Sequence, residues 1–174
     1  MTPKASLRTR YLKIRGAISS ARRKEAAQGL LDLLEPERGT ILSFSSVGSE
    51  IDCSWLNELL AKRKQLVLPR CDGNQLQLHS VSDLAHLKVG SYGLLEPNPA
   101  HCPEVKLSLI DLILVPGIVF DAEGYRIGYG KGFYDRLLAD ASAKTVGIGF
   151  LEQKIDGTLP RDSWDVPVQT LLLT

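Results

Sequence analysis

The sequence predicts an α/β fold, a three-layer sandwich around a mainly parallel central sheet, with residues 1–174 forming one domain. Three observations carry that expectation. Short apolar runs alternate with amphipathic helical stretches through short connections, as in parallel crossover units. The run SLIDLILVP (108–116) is apolar around a single acid, Asp111, which suits a parallel strand covered on both faces. Finally, no long linker, low-complexity tract or internal repeat divides the chain, and 174 residues suffice to bury a core.

Taken in order, Leu7, Tyr11, Ile14 and Ile18 recur at helical spacing and predict a helix over residues 4–18. Lys4, Arg8 and Arg15 lie on a neighbouring strip of that helix, at 100° per residue. By themselves they read as a solvated basic face or as part of a targeting segment. A second helix runs from Ser20 to about Leu34, and Pro36 ends it. TILSFSS (40–46) is strand-like and VGSEIDC is a loop. Asp52 caps a helix reaching about Lys64, with Trp55, Leu56, Leu59 and Leu60 turned inward. QLVLP (65–69) and QLHSV (77–81) are strands around a DGNQ turn, and residues 88–104, rich in Gly and Pro, read as loop. After the strand at 108–116 come a glycine loop, the helix FYDRLLADA, the buried strand TVGIGF (145–150) and a last strand in VQTLLL.

Composition removes several function classes. The chain is 44% hydrophobic and 24% charged, with a formal net charge of +1, so nothing in the overall charge favours nucleic acid or a membrane surface. No apolar run approaches the ~20 residues that span a bilayer. Cys53, Cys71 and Cys102 contain no CxxC and read as inert thiols of a reducing cytoplasm. His79, His86 and His101 lack metal-ligand spacing. No Ser/His/Asp or Cys/His arrangement stands out, which points to chemistry driven by positioning and charge.

The stretch GYGKGFYDR (128–136) carries that chemistry. Glycines let backbone N–H groups approach an oxyanion, and the start of the following helix adds unpaired donors. A helix end contributes only ~0.3–1 kcal/mol toward an anion, so cations are needed. Lys131 and Arg126 supply them. The motif is not a Walker A loop, because Gly132 stands where that motif places a hydroxyl for Mg²⁺. Asp135 is then the natural metal partner. The plainer alternative is a tight turn in which Asp135 caps the helix or pairs with Arg136. Glu50 in VGSEID reads alone as a loop acid, and SYGLLEPNP as a connection or a lid with Tyr92 and Glu96 as candidate contacts.

Together, DLILVPGIVFDAEGYRIGYGKGFYDRLL (111–138), KASLR (4–8), SEID (49–52) and LPRDSWDVPV (159–168) resemble the 5-formyltetrahydrofolate cyclo-ligase family, also called 5,10-methenyltetrahydrofolate synthetases. The resemblance covers essentially the whole chain. It implies an α/β sandwich that uses ATP and Mg²⁺ to turn 5-formyltetrahydrofolate into 5,10-methenyltetrahydrofolate, ADP and phosphate. It implies ATP contacts from Lys4, Ala5, Ser6, Leu7 and Arg8, and from Arg126, Ile127, Gly128, Tyr129, Gly130, Lys131, Gly132, Phe133 and Tyr134. Tyr129, Gly130, Lys131, Gly132 and Phe133 would also face the folate. Glu50 would hold its pterin side, with Ser45, Val47 and Tyr92 in the same pocket. Asp135 and Asp165 would be the metal-side acids, and Lys131 and Arg126 the catalytic cations.

The implied route passes through a phosphorylated formyl (imidate) intermediate, closed by the neighbouring nitrogen as phosphate leaves. ATP contacts at residues 4–8 would exclude a disposable presequence and favour a cytoplasmic enzyme, with a monomer as the expected state. Two other readings stand beside it. One is an ATP-using relative acting on another formylated or carboxylated substrate. The other is a non-enzymatic nucleotide- or RNA-binding module, disfavoured by the near-neutral charge and by aromatics at only 6%.

Overall fold

The computed structural model describes residues 2–90 and 93–174. The helices are α1 (Pro3–Gly16), α2 (Ser20–Leu34), α3 (Ser54–Lys62) and α4 (Phe133–Ala139). The strands are β1 (Ile41–Leu42), β2 (Leu66–Asp72), β3 (Gln75–Ser80), β4 (Leu87–Val89), β5 (Leu95–Pro97), β6 (Leu112–Pro116), β7 (Val119–Phe120), β8 (Arg126–Ile127), β9 (Lys144–Gly149) and β10 (Thr170–Leu173). Among the described residues, six strands form one sheet in the order β10-β9-β6-β1-β2-β3. Every neighbouring pair is parallel except β2 with β3. Two antiparallel hairpins, β4–β5 and β7–β8, stand outside it.

Strand periodicity builds the layers. On β6, Leu112 and Leu114 join Leu30 and Leu34 of α2 and Leu56 and Leu60 of α3 in one core. Ile113 and Val115, pointing the other way, pack with Leu138 of α4. Both faces of the strand are therefore covered, which is why its sequence is a near-continuous apolar run. Fully burying each such side chain contributes ~1.5–3 kcal/mol. Asp111 interrupts the run at the strand's start, where its Oδ2 accepts from Thr40 N at 2.7 Å.

From the middle of the sheet, β1 crosses through α3 to β2 on one side, while β6 crosses through α4 to β9 on the other. Right-handed crossovers running in opposite directions put α3 and α4 on opposite faces. The chain leaves the carboxyl ends of β1 and β6 toward opposite sides at that switch point, and a crevice lies beyond them.

Helix α1 lies across this end of the sheet. Thr2 caps it, accepting from Ala5 N at 3.4 Å, and Pro3 occupies the first turn, where its missing N–H costs nothing. Leu7, Tyr11 and Ile14 dock on Ile118, Val119, Ile127 and Leu159. Buried Asp121 organises the β7–β8 turn through Glu123 N and Tyr125 N, and its other oxygen holds Leu159 N and Arg161. That contact leads the C-terminal segment back to α1.

The structure has the α/β layers the sequence predicts, with four local differences. Trp55, expected inward, is 47% exposed. The face of α3 that is buried runs through Leu56, Asn57, Leu60 and Ala61 instead. Asp52 accepts from Ser54 N at 2.9 Å, but the helix begins after Cys53, one residue later than expected. The expected loop at 88–104 contains the short strands of the β4–β5 hairpin. Arg15, placed by its helical position on an open basic strip, is 1% exposed. No described helix is long and apolar enough to cross a membrane.

Candidate active site

The crevice at the switch point is a cleft of about 680 Å³, within the range of small-molecule sites. The segment following β1 and the carboxyl half of β2 supply one wall: Phe44, Ser45, Val47 and Glu50, then Pro69 and Cys71, joined by Leu94, Leu95 and Glu96 around β5. The stretch from Arg126 to Asp135 supplies the other, with Lys4 and Arg8 of α1 and with Asp162, Trp164 and Asp165. The first wall is largely apolar with two carboxylates. The second is charged with both signs. A concavity of about 640 Å³ between β3 and α4 shares Leu76 and Phe133 with this cleft.

Three guanidinium groups fix the glycine loop. Arg8 Nε donates to Gly128 O at 2.8 Å, Arg15 Nη2 to Tyr129 OH at 2.5 Å, and Arg136 Nη2 to Lys131 O at 2.9 Å. Gly130 at φ +92° and Gly132 at φ +65° occupy left-handed backbone, which explains the glycines flanking Lys131. The loop's ends are tied as well. Arg126 Nη2 pairs with Asp135 Oδ1 at 3.0 Å, and its Nη1 donates to Val166 O at 2.6 Å. Arg126, expected from the resemblance to be a catalytic cation and an ATP contact, lines the cleft with its side chain 5% exposed and its guanidinium bonded to Asp135 and the C-terminal segment. Burial pulls its pKa down, and Asp135 is foremost in opposing that shift.

Lys4 Nζ bridges Asp162 Oδ2 at 2.6 Å and Asp165 Oδ2 at 2.5 Å. Burial works to lower the ammonium's pKa, but hydrogen bonds to the two aspartates outweigh it and raise the pKa. Asp165 also accepts from Asp162 N at 2.8 Å, and Asp135 from Val166 N at 3.3 Å.

Glu50 is 7% exposed at its side chain, with Oε2 accepting from Val47 N at 3.0 Å and Oε1 4.0 Å from Arg15 Nη1. Burial pushes its carboxyl above the usual range, opposed by the Val47 N–H, by Arg15 and by Tyr129. Tyr129 is raised by burial and then by the Glu50 charge. The fully buried hydroxyl of Tyr134 is raised by burial as well, and it makes no hydrogen bond among the described residues. Cys71, raised to about 11 by burial and by Glu96, lies in the apolar wall as a thiol.

The 5-formyltetrahydrofolate cyclo-ligase family model matches residues 1–174. The chain belongs to that family.

A 5-formyltetrahydrofolate cyclo-ligase from Mycolicibacterium smegmatis is 30% identical, covering 97% of this chain and 92% of the relative. The solution structure of Aquifex aeolicus 5,10-methenyltetrahydrofolate synthetase superposes with a TM-score of 0.87 at 34% identity, covering 98% of this chain and 89% of that one. The synthetase from Mycoplasma pneumoniae superposes at 0.73 with 26% identity, covering 97% and 96%.

For this member of the cyclo-ligase family, the structure brings together most residues that the sequence singles out. Lys4, Arg8, Ser45, Val47, Glu50, Arg126, Ile127, Gly128, Tyr129, Gly130, Lys131, Gly132, Phe133, Tyr134, Asp135 and Asp165 all line the one cleft. Ala5, Ser6 and Leu7 lie between Lys4 and Arg8 on α1 without lining it, and Leu7 packs under the helix instead. Tyr92 lies outside the described residues. The sequence does not single out Asp162 or Trp164, and it places Arg15 only on a basic strip of α1. Asp162 carries a readable signal, an acid three residues before Asp165. Trp164, 68% exposed at the cleft, carries none beyond its position between them.

Asp135 and Asp165 suit Mg²⁺ as part of a shared shell rather than a cage. No group of three or more His, Cys, Asp or Glu side chains among the described residues is placed to hold a metal. Mg²⁺ commonly binds through one or two carboxylates plus phosphate oxygens, and the cleft offers that donor set to a nucleotide complex.

Proposed function

We propose that this cleft converts 5-formyltetrahydrofolate to 5,10-methenyltetrahydrofolate with release of ADP and phosphate, the whole chain acting as one cyclo-ligase domain in the cytoplasm. The observation that carries the reading is one cleft with a cationic glycine-loop wall facing an apolar wall that holds Glu50. A polyphosphate suits the glycine-loop wall and a reduced pterin the apolar one.

On the charged wall, Lys4, Arg8 and Lys131 bind the nucleotide's phosphates, and the left-handed loop presents its backbone N–H groups to them. Asp135 and Asp165 hold Mg²⁺, which when bound offsets phosphate charge. Arg126 keeps Asp135 in place. On the apolar wall, Phe44, Pro69, Leu94 and Leu95 exclude water from the folate ring system, with Ser45 and Val47 beside it. Glu50 accepts hydrogen bonds from the pterin's N–H donors.

The formyl oxygen takes the γ-phosphoryl group and ADP departs. The neighbouring ring-closing nitrogen then adds to the activated carbon, losing its proton, and phosphate leaves. The protein's part is in-line positioning and charge compensation by Lys131 and the loop, with no covalent enzyme intermediate. The test is phosphate release in step with folate consumption. Release of one phosphate per 5-formyltetrahydrofolate consumed is expected, and ATP turnover independent of the folate would contradict the reading.

A further inference from the structure

Arg15 is buried more completely than the other basic residues of α1. Removing a guanidinium from water is costly, and apolar side chains of similar volume often hold a fold as well or better. The positions of its hydrogen bonds are therefore informative. Nε donates to Ser49 Oγ at 2.9 Å, Nη1 to Gly117 O at 3.1 Å and Nη2 to Tyr129 OH at 2.5 Å. Its nearest counter-charge is Glu50, whose Oε1 is 4.0 Å from Nη1.

These contacts reach three separate segments: the loop between β1 and α3, the end of β6, and the glycine loop. Each contributes a cleft-lining residue in Glu50, Gly117 and Tyr129, while Arg15 itself stays behind the wall. The arrangement is backed from α2. Arg23 Nη1 donates to Ser49 O at 2.8 Å, and its Nη2 donates to Arg15 O. Glu50 in turn interacts with the Tyr129 hydroxyl. The planar fork reaches three separated acceptors at once, whereas a lysine would gather its three donors on one compact ammonium.

We infer that Arg15 is a positioning residue for the substrate half of the cleft, fixing the Glu50 carboxylate and the Tyr129 ring where the reduced folate is received. This rests on the cyclo-ligase reading of the site. It also makes α1 a two-ended element, with Lys4 and Arg8 serving the nucleotide and Arg15 serving the folate pocket from behind.

The test separates the two ligands. Arg15→Lys, which keeps the charge and loses the fork, is expected to weaken 5-formyltetrahydrofolate binding roughly 10- to 100-fold in equilibrium dialysis and in KM, with KM for ATP within about threefold. Combined with Glu50→Gln, it should cost less than the product of the separate effects, because Glu50 is what Arg15 positions. Should Arg15→Lys not fold, Ser49→Ala removes a single partner of Arg15 outside the cleft lining and is expected to raise the folate KM about threefold or more, leaving ATP unaffected.

An unchanged folate KM in a folded Arg15→Lys, or in Ser49→Ala where Arg15→Lys does not fold, would overturn the inference. So would equal losses for folate and ATP, which mark a merely structural residue. Wild-type protein that neither binds nor turns over 5-formyltetrahydrofolate would overturn the cyclo-ligase reading itself.

Discussion

Lys4 Nζ donates to Asp165 Oδ2 at 2.5 Å, closing the first helix onto a segment 161 residues away. Asp162 takes the same ammonium at 2.6 Å. The cation proposed for the nucleotide is thus already paired with two acids within the protein. A bound polyphosphate would have to draw Lys4 from these acids, leaving Asp165 for a metal ion.

Lys4→Ala should therefore weaken ATP more than it weakens the fold. A charged hydrogen bond contributes ~1.5–3 kcal/mol, so KM for ATP is expected to rise roughly 10- to 100-fold. The ion pair is partly exposed and contributes only ~0–1 kcal/mol to stability, so the melting temperature should move little. Deleting residues 1–9 should abolish turnover. Full activity in that truncation would mean that the segment is dispensable and does not contact ATP.

Asp135 has two tasks in this reading, metal ligand and partner of buried Arg126. Asp135→Asn should raise the Mg²⁺ concentration needed for activity and also lower thermal stability, because the amide oxygen can still accept from Arg126 but the buried guanidinium loses its counter-charge. Calorimetry should find no tight Mg²⁺ binding to the protein alone and clear binding once ATP is added. Tight binding without nucleotide would contradict the shared shell.

Lys131→Ala should leave the fold intact and lower kcat by ~10²–10⁴-fold, comparable to losing a charge clamp on a transferring phosphoryl group. Single-turnover kinetics separate this from weakened binding. Unchanged ATP-dependent turnover would remove Lys131 from its assigned role.

Glu50 sets an acid limb. Burial raises its carboxyl above 4.5, so the folded state holds its proton to higher pH than the unfolded chain does. Its contribution to stability consequently falls as pH rises from 4.5 through the folded value. For binding the sign reverses, because only the carboxylate accepts from pterin N–H groups. The folate KM should rise on acidification, with a midpoint above that of an ordinary glutamate. Arg15 and Tyr129 face this carboxyl, and its charge acts on Tyr129, Tyr134 and Cys53, all three pushed up by burial and so neutral across that limb. Glu50→Gln should abolish the limb; an identical limb in that variant would assign it to another group.

The central strand, the sheet class and the cations of the glycine loop are legible in the sequence because their signals are local. A doubly covered strand is apolar on both faces, and a loop that alternates Gly with Lys keeps both the backbone freedom and the charge in one stretch. Arg15 is not legible that way. Helical spacing places it near Lys4 and Arg8, but only the docking of α1 on β7 and β8 decides that its tip is enclosed while theirs reach the cleft. Trp55 fails for a related reason, since apolar character does not say which of two adjacent helical faces the sheet covers. The β4–β5 hairpin has three residues per strand amid Gly and Pro, too few for a period of two to register.

The most direct measurement is the absorbance of methenyltetrahydrofolate formed from 5-formyltetrahydrofolate, with and without ATP and Mg²⁺. Product is expected only when both are present, and it should be lost together with Lys131. No product under any condition would contradict the cyclo-ligase function.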